Sequence, residues 1–184
     1  SNVRGPNVLF ILPDDLGYGD LSCYGRPDYQ TPALDRLARQ GVRFTNIYAA
    51  APVCTPTRCA YVTGRYPQRL PVGLAEPLTS NSPRDLGLPP DHPTIASLLK
   101  ANGYETSLVG KWHLGLHEPA YLPTRRGFDH QYGPYCGAID YFTHERDGGF
   151  DWPRDHQACR APGSSTHLIA RAASRSCRDH RRAN

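Results

Sequence analysis

A mainly parallel α/β sheet flanked by helices is the fold class this sequence predicts, and three observations carry the prediction. A continuous apolar run near the start, Val8-Leu9-Phe10-Ile11-Leu12, has the pattern of a strand covered on both faces. Segments with a helical apolar period alternate with further strand-like segments, the arrangement of βαβ units. Residues able to do chemistry follow three of the predicted strands, at the edge where ligands collect in such sheets.

In chain order, the first strand covers residues 7–12 and ends at Pro13-Asp14-Asp15. Thr31-Pro32 opens a helix, with Thr as N-cap and Pro at the first helical position. Leu34, Leu37 and Ala38 share one face of it, and Gly41 stops it. Residues 42–48 (VRFTNIY) predict the next strand, with Val42, Phe44 and Asn46 alternating to one side. A short helix follows from about Thr57 to Val62. Residues 65–93 are rich in Pro, Gly, Asn and Ser and predict a long surface loop. A further helix starts at Asp91-His92-Pro93-Thr94, turns Ile95, Leu98 and Leu99 inward and stops at Gly103. Residues 104–109 predict another strand, leading into Gly110-Lys111-Trp112-His113. No internal repeat is visible.

The chain has 184 residues, enough for one domain with a core. No apolar run approaches the roughly 18 residues of a membrane span, so no membrane association is expected. Ser1-Asn2-Val3-Arg4 lacks the apolar core of a signal peptide, and the chain contains no methionine. A removed leader and a fragment both fit that start. The net charge of +4 is unevenly placed: residues 154–184 hold seven Arg against Asp155 and Asp179, which leaves the first 153 residues at −1. The basic character therefore belongs to the tail, and no nucleic-acid partner is expected for the rest. The tail reads either as a disordered basic extension or as a continuation that is not native sequence. Six cysteines contain no CxxC pair, which argues against zinc.

Three clusters carry chemistry. Asp14 and Asp15 follow a buried strand directly. In one pocket without a cation they would repel by roughly 4 kcal/mol at ~4 Å, and a hard divalent ion reverses that sign. Oxygen-only ligation suits calcium or magnesium. Cys54 and Arg58 form a C-x-P-x-R pattern at a helix entry, where free backbone N–H groups attract anions. Arg58 lies one helical turn on, placed to neutralise an oxyanion or hold the side chain at 54. Lys111 and His113 are two apart at a strand end, so period-two geometry sends both to one face. Lys can neutralise an anionic substrate, and His can pass protons near neutral pH. Together these residues describe metal-assisted hydrolysis of a phosphate or sulfate ester, without choosing between them.

The stretches PNVLFILPDDLGYGDLSCYG, PVCTPTRCAYVTGRYPQR and GYETSLVGKWHLG resemble, in order, the metal loop, nucleophile signature and second signature of the sulfatases. RRGFDHQYG and GAIDYFTHERDGG resemble the segments that follow, most of all in the arylsulfatase branch containing N-acetylgalactosamine-4-sulfatase. The resemblance covers about residues 6–152. It implies an alkaline-phosphatase-like fold, with residues 1–153 as the N-terminal part of a catalytic domain and 154–184 as an Arg-rich tail unlike the family. It implies that Asp14, Asp15 and position 54 hold one Ca2+. It also implies that a maturation enzyme oxidises Cys54 to formylglycine, whose hydrate attacks sulfur. Arg58 would steady that hydrate, Lys111 would bind the sulfate, and His113 would hydrogen-bond the hydrate and assist turnover. The substrate would be a sulfated small molecule or glycan, and the location exported or lysosomal.

Tyr61 and Cys59 stand where the family more often has an aliphatic and a small residue. The family's core also continues beyond residue 184, with an Asp-Asn pair, a His and a Lys that have no match here. An incomplete sulfatase with little catalysis of its own is therefore expected. Two rivals accompany this: a phosphatase, phosphodiesterase or phosphonate hydrolase of the alkaline-phosphatase-like group, and a non-catalytic pseudo-sulfatase whose tail binds polyanions. A dithiol redox role for Cys54 and Cys59 is disfavoured by their spacing.

Overall fold

A computed structural model describes residues 5–75 and 77–182. It divides the chain into two compact units, residues 1–48 and 49–184, each described by itself.

The first unit is built around one helix. Thr31-Pro32 starts α1 (Pro32–Gln40) and Gly41 ends it, its N–H donating to Leu37 O at 3.0 Å. Single 3-10 turns at Tyr18–Asp20 and Ser22–Tyr24 precede it. The link between turn and helix is Asp35, whose carboxylate accepts from Ser22 Oγ at 2.6 Å, Cys23 N at 2.9 Å and Thr31 Oγ1 at 3.0 Å. Those hydrogen bonds, that of Ser22 foremost, hold the Asp35 carboxyl below its ordinary value. Residues 7–12 and 42–48, expected as strands, contain no strand, and Val8, Phe10, Val42 and Phe44 are all exposed. An apolar run specifies a surface that wants cover. The strand state itself needs a hydrogen-bonding neighbour, which no local pattern supplies.

The second unit carries the sheet, and here the predicted fold class is corrected. In place of a large parallel sheet there are short strands among helices and turns. The order is β1 (Ser107–Val109), β2 (His130–Tyr132), β5 (Pro153–Arg154) and β6 (Gln157–Ala158), with β3 (Glu145–Arg146) and β4 (Gly149–Phe150) as a separate hairpin. Only β1 and β2 pair in parallel; the other pairings are antiparallel. The parallel pairing continues past the strands as Gly110 N to Tyr132 O, Trp112 N to Pro134 O and His113 N to Tyr135 O, at 2.8–3.0 Å. The chain through His113 is thus laid along residues 132–135.

Helix α2 (Cys54–Thr63) packs against α3 (Pro71–Leu74) and α4 (Ile95–Ala101). The core gathers Cys59, Val62, Leu70, Val72, Leu78, Leu88, Trp112 and Leu114. Four of these fall in residues 65–93, so that segment is not a surface loop. Pro67 and Pro71 each open a short helical turn, and Leu70, Val72 and Leu78 turn inward while Leu74 stays exposed. Thr94 caps α4, accepting from Ser97 N at 3.0 Å, but Ile95 and Leu98 are exposed while Thr94 and Ala96 are buried. Of the face expected inward, Ile95 and Leu98 thus point out and Leu99 is half-buried. A last helix, α5 (Ser165–Arg182), occupies most of the Arg-rich segment, its half-buried side Leu168, Ile169, Ala172 and Ala173. Among the described residues no helix is long and apolar enough to cross a membrane.

Candidate active site

Cys54 is the first residue of α2, earlier than the expected start near Thr57. Val53 is extended and its carbonyl accepts from Thr57 N at 3.3 Å, while Thr57 Oγ1 donates to Ala51 O at 2.7 Å. Pro56 falls in the first turn, where its missing N–H has no helical partner to lose. The Cys54 side chain is partly exposed and lines a pocket of about 200 Å3. Pro77, Leu78, Thr79 and Ser80 line the same pocket, as do His113, Cys136 to Ala138, Arg146 and Asp147.

His113 is only 2 % exposed and adopts a left-handed backbone, φ 62°. A side chain other than glycine rarely holds that conformation without a compensating structural demand. Here the demand is a set of hydrogen bonds. His113 Nε2 donates to Leu78 O at 2.5 Å, and Thr55 Oγ1 donates to His113 O at 3.2 Å. Thr55 Oγ1 also accepts from Leu78 N at 3.1 Å. One buried hydroxyl thus joins the start of α2, the pocket wall and the histidine. The ring itself packs on Gly137, where an added Cβ would sit 2.4 Å from His113 Cε1.

Arg58 is buried at 6 % exposure, and its Nη1 donates to Lys111 O at 2.6 Å. It also meets the Tyr61 hydroxyl, whose proton affinity burial raises and the guanidinium opposes. Arg58 therefore ties α2 to the backbone at Lys111, and neither Arg58 nor the Lys111 side chain is among the residues lining the pocket. The period-two argument for Lys111 and His113 is not realised, because β1 ends at Val109 and the left-handed turn at His113 breaks the alternation. Asp14 and Asp15 belong to the first unit, both exposed, with Asp15 left-handed at φ 58°. Among the described residues no group of three or more His, Cys, Asp and Glu could hold a metal ion. Within the second unit the structure brings Cys54 and His113 into one pocket and ties Arg58 to the Lys111 carbonyl.

Sequence reasoning missed Ser80, Cys136, Gly137, Arg146 and Asp147. The carboxylate of Asp151 shapes one side of the wall, accepting from Tyr135 N at 3.0 Å and Cys136 N at 2.6 Å. Burial first, and then Asp151 and Asp147, push the Cys136 thiol up to about 12. The hairpin that brings Arg146 and Asp147 was signalled by Asp147-Gly148, a residue pair typical of two-residue hairpin turns, and both have positive φ here. None of the six cysteines forms a disulfide.

A family model described as Sulfatase matches residues 6–177. Steryl-sulfatase of Mus musculus is 51% identical over 138 residues, covering 68% of this chain and 21% of its own length. Arylsulfatase A of Homo sapiens is 48% identical over 159 residues, covering 80% of this chain and 31% of its own. The solved structure of BT4656 in complex with its substrate D-glucosamine-2-N,6-O-disulfate superposes with a TM-score of 0.72 at 31% identity, over 91% of this chain and 30% of that one. This chain thus spans a third or less of each of these proteins, and the matches do not single out the N-acetylgalactosamine-4-sulfatase branch. With the family model matched across most of its length, the chain belongs to the sulfatases, the sulfuric-ester hydrolase family.

Proposed function

We propose that this chain is the N-terminal part of the catalytic domain of a calcium-dependent sulfatase whose nucleophile is formylglycine derived from Cys54. Residues 1–153 would belong to that domain, with the Arg-rich segment 154–184 following. The observation that carries the reading is the pocket shared by Cys54, at the start of α2, and His113. Backbone N–H groups at a helix start favour a negatively charged sulfate beside position 54.

Formylglycine would supply a hydrated aldehyde as the oxygen nucleophile. This chain's own residues position it. Thr55 fixes the start of α2 against the His113 carbonyl, and His113 carries its Nε2 proton toward Leu78 O. Arg58, held between Lys111 O and Tyr61, keeps α2 and the Lys111 backbone in register. Lys111 would bring a cation to the sulfate. Asp14 and Asp15 present adjacent exposed carboxylates, hard oxygen donors of the kind calcium takes, and would supply part of its six to eight oxygens. Calcium would contribute positive charge where the sulfate oxygens bind.

The substrate class is a sulfate ester on a small molecule or glycan; BT4656 is in complex with a disulfated sugar, its substrate. The partners are that ester and a formylglycine-generating maturation enzyme. The setting is exported or lysosomal, and the chain by itself has little catalysis. Peptide mass spectrometry across position 54, after co-expression with such a maturation enzyme, tests the reading. An aldehyde at 54 is expected, lost in Cys54→Ala. Unmodified thiol in every preparation overturns the formylglycine assignment. A full-length protein containing this chain that hydrolyses aryl phosphate faster than aryl sulfate overturns the ester class.

A further inference from the structure

The pocket lining includes one arginine that the reaction at position 54 does not use. Arg146 lines the pocket from the end of β3, beside the hairpin turn at Asp147 and Gly148. The turn is tethered: Ser80 Oγ donates to Asp147 Oδ2 at 2.6 Å, a bond across 67 residues of sequence. Ser80 continues the segment that Leu78 fixes to Thr55 and His113. The hairpin tip is therefore connected through hydrogen bonds to the start of α2 and to the histidine. Asp147 Oδ1 lies 3.4 Å from Arg146 Nε, on one edge of the guanidinium. Among the described residues nothing else pairs with Arg146, so both terminal nitrogens are open, with the side chain half exposed at the pocket mouth. Its positive charge reaches Cys136 across the pocket, opposing the rise in that thiol's proton affinity.

A planar guanidinium with two open terminal NH2 groups on a tethered turn is built to take an oxyanion bidentately. The scissile group belongs beside Cys54 and His113. We propose that Arg146 is a specificity-determining residue that binds a second sulfate on the same substrate, so that the site prefers disulfated over monosulfated sugars. This rests on the sulfatase reading of the pocket.

The test is calorimetric titration of the 184-residue chain with glucosamine-2-N,6-O-disulfate and with N-acetylglucosamine-6-sulfate, for wild type, Arg146→Ala and Arg146→Lys. One charge-assisted, partly exposed contact predicts a preference of about tenfold for the disulfated sugar. Arg146→Ala should abolish the preference while leaving monosulfate affinity unchanged, and Arg146→Lys should restore part of it. Equal loss for both sugars in Arg146→Ala, or an unchanged ratio, overturns the proposal and leaves the sulfatase reading intact. Wild type that binds neither sugar overturns the proposal, while the sulfatase reading stands or falls on the aldehyde at position 54.

Discussion

His113 and Leu78 are joined by a 2.5 Å hydrogen bond from the imidazole Nε2 to the backbone carbonyl, and the amide of Leu78 returns to α2 through Thr55. The pocket wall and the candidate proton carrier are consequently one unit, closed by a buried threonine hydroxyl. Any change that breaks the closure is expected to move the histidine and the wall together.

Thr55 is the closing element. Its Oγ1 accepts from Leu78 N and donates to His113 O, with Thr55 itself fully buried. Thr55→Val keeps the shape but leaves a buried amide and a buried carbonyl without that partner, which costs about 1–3 kcal/mol. Thr55→Ser retains the hydroxyl and should cost much less. Denaturant unfolding of the two variants checks this; equal losses would mean that the methyl group, not the hydroxyl, holds the site.

Gly137 is required by its neighbour and not by its backbone. A Cβ there would meet His113 Cε1 at 2.4 Å and Nε2 at 2.7 Å. The ring is buried and tied to Leu78 O, so it has little freedom to retreat. Gly137→Ala should destabilise by about 1–3 kcal/mol, the usual range for overpacking a filled interior. It should also shift the His113 ring resonances in NMR. Unchanged stability and unchanged shifts would show that residues 136–138 yield instead of the histidine.

These contacts also show what the sequence could tell. The bounds of α1 were legible because Thr31, Pro32 and Gly41 act locally, on the residues beside them. The helix entry at Cys54–Arg58 was legible for the same reason, and so was the approach of Lys111 and His113 to the end of a strand. The strands at 7–12 and 42–48 were not, since pairing is decided by a segment elsewhere. Residues 65–93 misled because prolines that break long helices also start short ones, and Leu70, Val72, Leu78 and Leu88 show no period across such turns. Ser80 and Asp147 meet across 67 residues, a relation to which no spacing rule points.

Acid sensitivity follows from Asp129. Its carboxylate receives Lys100 Nζ at 2.5 Å, Thr106 N at 2.9 Å and Thr106 Oγ1 at 3.0 Å. Lys100 first, then Thr106, hold it below its ordinary value of 3.8. A carboxyl whose proton affinity falls on folding adds stability above its unfolded value, and that stability is lost as pH drops through the folded one. Stability should therefore decline below about pH 4, with Asp35, Asp91 and Asp140 shifted in the same direction. Asp129→Asn should be less stable at pH 7 and show a shallower decline between pH 5 and 2. A decline as steep as that of the wild type would assign the acid sensitivity to the other three.

Cys136 shares a pocket with Cys54, so its reactivity decides whether it competes for oxidants and electrophiles. Burial and the neighbouring Asp151 and Asp147 raise its thiol from an ordinary 9.0 to about 12, and burial raises Cys59 to about 11. At pH 8 a shift of that size at Cys136 removes about a thousandfold of thiolate. The more basic thiolate is the better nucleophile and recovers part of the loss, leaving alkylation roughly 30–50-fold slower than at an unperturbed thiol. Iodoacetamide labelling at pH 8 with peptide mapping should therefore leave Cys136 and Cys59 largely unmodified while exposed Cys177 reacts. Because Asp151 also holds Tyr135 N and Cys136 N, Asp151→Asn removes a negative charge and weakens the loop together. Both effects speed labelling at Cys136. Fast labelling of Cys136 in the wild type would instead make that thiol a rival to Cys54 inside the same pocket.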